Sequence, residues 1–478
     1  MSTVGGTGAE AHEGGGDACA HERSAVVDSR FHGDGYATPA SRAIFCDVCR
    51  LQRWMNVEAA LAQAQAEVGL IPQAAADEIS RAARVENVDL DEVREGIERT
   101  GHSLVALLGA LQDACHADAG EYVHYGATTQ DVQDTGQALE MKEVLAVVDE
   151  HLPDVMASLV KLARAHRDTV MVGRTHAQPA LPTTFGLKVA GWMDELLRQA
   201  QRLEATRRRV PVAELFGGVG SMAAFGDRGP ELVERFAARL GLGVPATAWH
   251  VSRDRVAEYL TTLASLAATL GRIADEVRTL SRPELAELEE GWEFGKVGSS
   301  TMPHKRNPED CEQVVVLARL AGANAALGVD SMMQEHERDS RGLRLEWVAV
   351  ADISHHTLAA LALVRKVLAG LEVHADRMAE HAWELAEAIC SEALMLALGR
   401  HLGKQSAHGL VYEVTQRAQS EGRPVKEVLL EDGTVTAYLK PEQVDAVFDP
   451  TRYLGSAATM VDAIVTEAEG WLARRRGP

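Results

Sequence analysis

The sequence predicts an all-α protein organised around a central bundle of long helices. Two observations carry this prediction: apolar residues recur at spacings of three and four over long stretches, and the alternating pattern of a strand is nearly absent. The Asp432-Gly433 pair near Val435 favours at most one minor hairpin. Helices, and not sheets, are therefore expected to form the core.

The clearest helix begins near Val256 and ends before Pro283. Its apolar stripe consists of Leu260, Leu263, Ala267, Leu270, Ala274 and Val277. A helix of about 27 residues is roughly 40 Å long at 1.5 Å per residue. Such a length is typical of a helix bundle, in which each long helix buries its stripe against its neighbours.

Two further helices have recognisable ends. One carries an apolar stripe from Phe185 to Leu203 and ends in three arginines before Pro211. The other is predicted to begin with Asn307 as its N-cap and Pro308 in its first turn, followed by two acidic residues that favour the positive end of the helix dipole. The stretch before Asn307 therefore feeds directly into a helix N-terminus.

Composition limits the function. The chain has 478 residues and a formal charge of -22, which argues against a nucleic-acid scaffold because phosphate binding requires clustered positive charge. A small anionic substrate needs only a local cationic pocket. The sequence has neither the apolar stretch of a signal peptide nor the roughly 18 consecutive apolar residues of a spanning helix, so we expect a cytoplasmic protein without a membrane partner.

The six cysteines are scattered along the chain, and no metal site is predicted. Cys46 and Cys49 lie one turn apart on a predicted helix, but zinc would require a second pair of ligands. Cys115 and His116 are a weak candidate for that pair. Small buried side chains in a reducing compartment explain the cysteines more simply.

The chain is predicted to divide into four parts. Residues 1–40 form a glycine-rich disordered N-terminus, and residues 41–121 an N-terminal helical domain. Residues 122–370 form the central long-helix domain, and residues 371–478 a smaller C-terminal helical domain. The long stripes of small and apolar residues indicate burial against other helices, within one chain or between subunits.

Three polar stretches interrupt the helices: HYGATTQD (residues 124–131), GRTHAQP (173–179) and GSSTMPHKRNPED (298–310). Taken singly, each has a simpler explanation as a helix cap or connector. Together they supply hydroxyls, amides, imidazoles and cations beside glycines and prolines that free the backbone. This combination suits the removal of a proton next to a carboxylate.

Such a reaction creates a dianion, so cations and hydrogen-bond donors must surround the carboxylate before the proton leaves. Lys305 and Asn307 offer these groups. Ser299 is a candidate base if its loop stabilises the alkoxide, and His176 is a candidate acid on the side of the leaving group.

The stretch GSSTMPHKRNP resembles the signature of the fumarase/aspartase superfamily, and its ending is similar to that of the adenylosuccinate lyase and carboxymuconate cycloisomerase branch. HYGATTQDVQDT and GRTHAQPALPTTFGLKVAGW agree, and the resemblance covers residues 40–457 in order. It implies an all-α homotetramer whose active sites are shared between subunits, and no metal or organic cofactor.

The resemblance also implies roles for individual residues. Ser299 matches the base, on a loop that closes over substrate, and His176 matches the acid. Lys305 and Asn307 match groups that hold the substrate carboxylate. The remaining substrate-binding residues that we predict are His102, Thr128, Thr129, Gln178, Ser300, Met302, Arg341 and Arg344. The implied substrate is a small anionic dicarboxylate.

Within the superfamily the sequence favours β-elimination from a substituted succinate to give fumarate. The cycloisomerase usually has tryptophan at the position of His176 and small residues near Arg341 and Arg344. Adenylosuccinate lyases carry nucleotide contacts that are not evident here. We therefore expect nitrosuccinate, cleaved to fumarate and nitrite, with Arg341 or Arg344 meeting the second carboxylate or the nitro group.

Three alternative functions stay open at this point, together with a simpler explanation of the arginines. The chain resembles adenylosuccinate lyases and carboxymuconate cycloisomerases as well, and a helical tetramer can also serve as a scaffold without activity. The arginines themselves have a simpler explanation as part of a solvated helix face.

Overall fold

The computed structural model describes residues 25–476, and most of them are helical. The α-helices are α1 (Pro39–Phe45), α2 (Asp47–Glu67), α3 (Gln73–Ala82), α4 (Leu90–Thr100), α5 (Val105–Ala114), α6 (Thr129–Ala165), α7 (Phe185–Arg209), α8 (Gly229–Leu240), α9 (Asp254–Leu280), α10 (Glu309–Asp330), α11 (Ser340–Gly370), α12 (Ala375–Glu384), α13 (Ala386–Ile389), α14 (Ser391–Leu402), α15 (Lys404–Glu421), α16 (Val425–Glu431), α17 (Gly433–Tyr438), α18 (Pro441–Val447) and α19 (Ala457–Arg476). The all-α prediction is confirmed for these residues.

Short elements connect the helices. The 3-10 helices are Val26–Asp28, Gly33–Gly35, Val85–Asn87, Ala117–Tyr122, Gly226–Arg228 and Pro450–Arg452. The strands are β1 (Val170–Thr175), β2 (Gln178–Thr184), β3 (Leu288–Glu289) and β4 (Glu372–Val373). Of the segment predicted to be disordered, residues 1–24 lie outside the described residues. Residues 25–40 are folded, because their two 3-10 turns lead into the capped start of α1.

Two long helices agree with the sequence pattern. Helix α9 has 27 residues and buries the predicted stripe, and α7 runs from Phe185 through the three arginines. Helix α10 begins two residues after Asn307, so the predicted N-cap is wrong. The carboxylate of Glu290 accepts hydrogen bonds from the backbone N–H groups of Asp310 (3.4 Å) and Cys311 (2.6 Å), which satisfies this helix end from outside the segment.

The hairpin prediction also needs correction. Asp432 caps α17 by accepting hydrogen bonds from the backbone N–H groups of Thr434 (2.8 Å) and Val435 (3.2 Å), and forms no hairpin. The hairpin of the structure is the antiparallel pair β1–β2. Pro179 and Pro182 lie within β2 and hide its pattern, since a proline usually argues against a strand.

Buried apolar residues form two clusters. The larger cluster joins the N-terminal helices to α6, α7, α9, α10 and α11, and the last helix, α19, returns to it through Val461, Val465 and Ala468. The smaller cluster lies among the C-terminal helices and includes Val170 and Val172 of β1. The hairpin is therefore anchored in the C-terminal helices, and the predicted domain boundaries stay predictions.

A buried ionic network crosses the centre of the bundle. Arg253, which precedes α9, donates hydrogen bonds to Asp134 of α6 (2.7 and 3.0 Å) and to Glu346 of α11. All three side chains are at most 1 % exposed. Gln137 of α6 also donates to Glu346 (3.2 Å). Three long helices are thus fixed to one another by a single guanidinium.

Among the described residues, one helix has the length and composition that a membrane crossing requires. This helix is α11, and two thirds of its most apolar window is buried inside the protein. Its buried face includes Glu346, Ser354 and His355. Tyr259 of α9 hydrogen-bonds Ser354 at 2.7 Å. Helix α11 thus packs as a core helix of the bundle.

Candidate active site

A cavity of about 340 Å³ opens where the N-termini of α6 and α11 approach the loop before α5. It brings together four predicted residues: His102, Thr128, Thr129 and Arg344. The other residues that line it are Gly101, Ser103, Gln130, Gln133, Arg338, Ser340, Leu343 and Trp347. The cavity wall is therefore rich in hydrogen-bond donors and carries two cations.

The N-terminus of α6 forms one wall. Thr128 precedes this helix of 37 residues, and its backbone N–H donates to the carboxylate of Asp131 at 3.0 Å. The first N–H groups of a helix have no partner within the helix and carry partial positive charge, which favours a bound anion. Thr128 and Thr129 are accordingly placed to receive a carboxylate.

Asp131 holds this wall in position. Its carboxylate accepts hydrogen bonds from the backbone N–H groups of Phe216 (3.0 Å) and Gly217 (2.9 Å) as well as that of Thr128. A nitrogen of His250 lies 2.8 Å from it. Asp131 is 1 % exposed and anchors the start of α6 to a neighbouring loop.

Glu214 lies beside this anchor without exposure to solvent. One oxygen accepts a hydrogen bond from the backbone N–H of Trp249 at 2.8 Å, and the other accepts no hydrogen bond among the described residues but lies 3.4 Å from Nε2 of His250. Burial and the nearby Asp134 raise the pKa of Glu214 to about 9. Glu214 is therefore protonated at neutral pH.

Two groups of side chains have the spacing of a metal site. Asp131, Glu214 and His250 form one group, and Glu289, Glu372 and His374 the other, with ligand atoms within 4.8 Å in each. Hydrogen bonds already engage both oxygens of Asp131, and the second group is partly exposed. Hydrogen bonding accounts for the buried group, and the predicted absence of a metal stays a prediction.

The structure places the two predicted arginines in different surroundings. The side chain of Arg341 is 68 % exposed and pairs with Asp339 (2.6 Å) and Glu335 (3.1 Å). Its hydrogen bonds lower the pKa of Asp339. Arg341 does not line the cavity, whereas Arg338 does. The sequence analysis missed Arg338, and the cationic pair of the cavity is Arg338 with Arg344.

The two arginines differ in how they are held. Arg338 donates through Nε to the side-chain oxygen of Gln130 at 3.0 Å. Gln130 donates its amide to Asp134 (3.0 Å) and to the carbonyl of His250 (2.9 Å), which turns its oxygen towards Arg338. None of the ion pairs among residues 25–476 involves Arg344. Its charge remains available to a ligand.

Ser299 lies on the loop between β3 and α10. Its Oγ accepts hydrogen bonds from the backbone N–H groups of Thr301 (3.3 Å) and Met302 (3.1 Å). Asn307 donates its amide to the carbonyl of Gly298 at 2.6 Å, closing the loop at its base. A Cβ at Gly298 would collide with the carbonyl oxygen of Lys305, so this close approach requires glycine.

The loop presents its other predicted residues to solvent. Ser300, Met302 and Lys305 are exposed, and the ammonium of Lys305 has no ion-pair partner in the described part of the chain. Arg306 is fixed instead, because it pairs with Glu289 (2.9 Å) and lies 5.4 Å from the Trp292 ring. The loop is therefore fixed at its ends and accessible at its tip.

His176 and Ala177 form the two-residue turn between β1 and β2. Their φ angles are 51° and 62°, in the left-handed region where such hairpins usually place Asn-Gly. Non-glycine residues in this conformation cost free energy and often mark functional sites. The strained turn leaves His176 and the adjacent Gln178 exposed.

A buried carboxylate joins the hairpin to the loop of Ser299. Glu287, which precedes β3, accepts hydrogen bonds from Arg174 of β1 (2.7 and 3.0 Å), and its carboxylate lies 2.8 Å from a ring nitrogen of His381 in α12. Its side chain has no exposure. The carboxylate of Glu287 thus fixes the starts of both segments that carry the catalytic candidates.

The predicted residues occupy three places in one chain. His102, Thr128, Thr129 and Arg344 line the cavity; Ser299, Ser300, Met302, Lys305 and Asn307 belong to the loop; His176 and Gln178 lie at the hairpin turn. Neither Ser299 nor His176 lines the cavity. Within a single chain the predicted residues therefore form three separate groups.

The chain is similar in sequence to known families and proteins. The profile of the family described as Lyase matches residues 34–321, and that described as adenylosuccinate lyase C-terminus matches residues 387–464. An N-acetyl-S-(2-succino)cysteine lyase of Dickeya dadantii is 39% identical over 94% of this chain and 98% of its own length. An adenylosuccinate lyase of Methanothermobacter thermautotrophicus is 39% identical over 91% and 98%.

The chain is also similar to a solved structure. The 3-carboxy-cis,cis-muconate lactonizing enzyme from Pseudomonas putida superposes with a TM-score of 0.85 at 35% identity, covering 92% of this chain and 99% of that one. The fold is that of a fumarate lyase. The chain belongs to the fumarase/aspartase superfamily, which confirms the resemblance carried by its motifs. It is an enzyme of a family that acts on succinyl-type substrates.

The protonated state of Glu214 predicts a pH effect on stability. Between pH 4.5 and 9 the folded carboxyl holds its proton while the unfolded one loses it. The resulting stability is complete below pH 4.5 and is lost as pH rises towards 9, by about 1.4 kcal/mol per pH unit. Glu214→Gln, which keeps the acceptor for Trp249, should flatten the dependence of unfolding free energy on pH measured in urea.

The exposed Glu98 provides the control for this measurement. Glu98→Gln should leave the pH dependence of wild type in place. An equal slope in wild type and Glu214→Gln would mean that Glu214 is ionised in the folded protein.

Proposed function

We propose that the protein catalyses β-elimination of nitrite from nitrosuccinate to give fumarate. The observation that carries the proposal is the small cavity in which Arg338 and Arg344 face the N-terminus of α6. Nitrosuccinate has two carboxylates and a nitro group, and each is planar with two oxygens. A guanidinium binds such a group through two parallel hydrogen bonds.

The cavity supports binding of two of the three groups. The N–H group of Thr129 and the hydroxyls of Thr128 and Thr129 suit one carboxylate. Arg344, which has no ion-pair partner in the described residues, suits the second anionic group, while Gln130 holds Arg338 beside it. The exposed Lys305 supplies the charge for the carboxylate next to the reacting carbon.

The loop supports the chemical step. Two backbone N–H groups point at the Oγ of Ser299, and these donors stabilise an alkoxide more than a neutral hydroxyl. Ser299 then removes the proton from C3, and Lys305 stabilises the dianion that forms. Asn307 acts by closing the loop through Gly298. Nitrite is a weak base and leaves with little help, so His176 has its largest effect on substrates with poorer leaving groups.

The separation of the three parts supports a homotetramer with shared active sites. Helices α10 and α11 expose Val316 (42%), Val329 (50%) and Val348 (55%). Exposed apolar side chains on long bundle helices are typical of subunit interfaces. Closed assembly of identical chains would bring the loop, the turn and the cavity of different chains together.

A second candidate is elimination of a thiol from a 2-succinylated cysteine derivative. The relative of Dickeya dadantii, at 39% identity over nearly the full chain, carries the name of such a lyase. The same binding groups fit its succinyl part. A thiolate is a stronger base than nitrite, so this reaction depends more on the acid His176.

The test is a parallel incubation of purified protein with five substrates: nitrosuccinate, N-acetyl-S-(2-succino)cysteine, adenylosuccinate, argininosuccinate and carboxymuconate. Fumarate is followed by proton NMR, nitrite colorimetrically and thiol with a disulfide reagent. We expect fumarate and nitrite in equal amounts from nitrosuccinate. The second candidate would be established if fumarate forms together with thiol and no fumarate forms together with nitrite. Turnover of adenylosuccinate or lactone from carboxymuconate would overturn both.

Ser299→Ala should lower kcat by at least about a thousandfold, because no other group replaces the base. The thermal midpoint should stay within about a degree of wild type, since the loop is outside the packed bundle. Ser300→Ala is the neighbouring control and should lose much less, because no backbone N–H group is hydrogen-bonded to its hydroxyl. Comparable losses in both variants would refute Ser299 as the base.

Arg344→Ala should raise KM about 10- to 100-fold, the cost of losing a charged hydrogen bond to an anion. Arg341→Ala serves as the matched control on the same helix and should change KM less than twofold, since Arg341 pairs with Asp339 at the surface. Steady-state kinetics with nitrosuccinate separates the two. A larger effect of Arg341 would make Arg341, and not Arg344, the residue that meets the second anionic group.

A further inference from the structure

Two cysteines lie together at the start of α2. Cys46 is the N-cap of this helix and Cys49 is in its first turn. The backbone N–H of Cys49 donates to the sulfur of Cys46 at 3.2 Å. The spacing is that of a Cys-x-x-Cys motif placed on a helix N-terminus.

The local geometry permits a bond between the two sulfurs. Residues three apart on a helix have Cβ atoms about 5–6 Å apart, and a disulfide requires about 3.5–4.5 Å. Cys46 has extended backbone angles (φ −66°, ψ 147°) outside the regular helix. Its side chain can therefore approach Cys49 without the loss of a helical hydrogen bond.

The two thiols have different environments. Cys46 is exposed, and its sulfur accepts a backbone N–H group at the start of a helix of 21 residues. The hydrogen bond with Cys46 and partial burial raise the pKa of Cys49. Cys46 is thus suited to attack an oxidant, and Cys49 to resolve the product.

The other described cysteines lack a partner of this kind. Cys311 and Cys390 are buried, and burial raises the pKa of both thiols. Cys115 is partly exposed, and burial raises its pKa as well. Among residues 25–476, only Cys46 and Cys49 combine exposure with a neighbouring thiol.

We propose that Cys46 and Cys49 form a redox-active dithiol that closes reversibly to a disulfide when a peroxide is present. The thiolate of Cys46 attacks the peroxide, and one oxygen is transferred to sulfur while the other leaves as water. The sulfur of Cys49 displaces the sulfenic oxygen as a second water. Two thiols and one hydrogen peroxide thereby give one disulfide and two waters, and an added dithiol reverses the reaction by exchange.

The full-length protein offers a direct test, because trypsin cleaves after Arg42 and Arg50 and releases both cysteines in one peptide, residues 43–50. The reduced protein is treated with a small excess of hydrogen peroxide, unreacted thiols are alkylated, and the digest is analysed by mass spectrometry. We expect this peptide to lose two hydrogens, to escape alkylation, and to recover two alkylatable thiols after dithiothreitol treatment.

Three variants make the test specific. Cys46→Ser and Cys49→Ser should each abolish the two-hydrogen loss, whereas Cys115→Ser should leave it unchanged. Oxidation of Cys46 to sulfinic acid without a disulfide would overturn the proposal, as would a disulfide between chains on a non-reducing gel. Zinc that remains bound after desalting and protects both thiols would overturn it as well, by making the pair a metal site.

Discussion

The buried guanidinium of Arg253 is the interaction on which the rest of the structure depends. It lies between Asp134 and Glu346 and so fixes α6, α9 and α11 to one another inside an apolar bundle. A buried charge that loses one partner typically costs about 3–5 kcal/mol. The same network reaches the cavity, because Asp134 holds Gln130 and Gln130 holds Arg338. The same hydrogen-bond network therefore fixes both the packing of the bundle and the position of a cation in the cavity.

Outside the bundle, the candidate catalytic residues lie on short segments whose ends are fixed. Glu287 binds Arg174 below the hairpin turn, and Glu290 caps the helix that follows the loop of Ser299. Their side chains are at most 5 % exposed, while Lys305 and His176 are exposed. Because the ends of the loop are fixed, little conformational entropy is lost when the loop becomes ordered. Its accessible tip can then contact substrate.

The sequence predicted what local periodicity determines and missed what distant contacts determine. Helices α7 and α9 followed from their apolar stripes. The start of α10 did not, because its cap, Glu290, comes from another segment. The prolines of β2 concealed the hairpin. Arg338 and Arg341 cannot be distinguished by residue type, since only the fold decides that Gln130 holds the first and Asp339 the second.

The net charge of -22 sets a constraint on how an anionic substrate binds. At physiological salt, charges beyond about 8 Å are screened, so the overall negative charge weakens approach only slightly and the local cations determine binding. Arg344 and Lys305, unpaired among the described residues, lie on different parts of one chain. A substrate with several anionic groups is the ligand that draws such parts together. In the proposed function, this charge pattern would select the succinyl part of the substrate and leave the exposed His176 to discriminate between leaving groups.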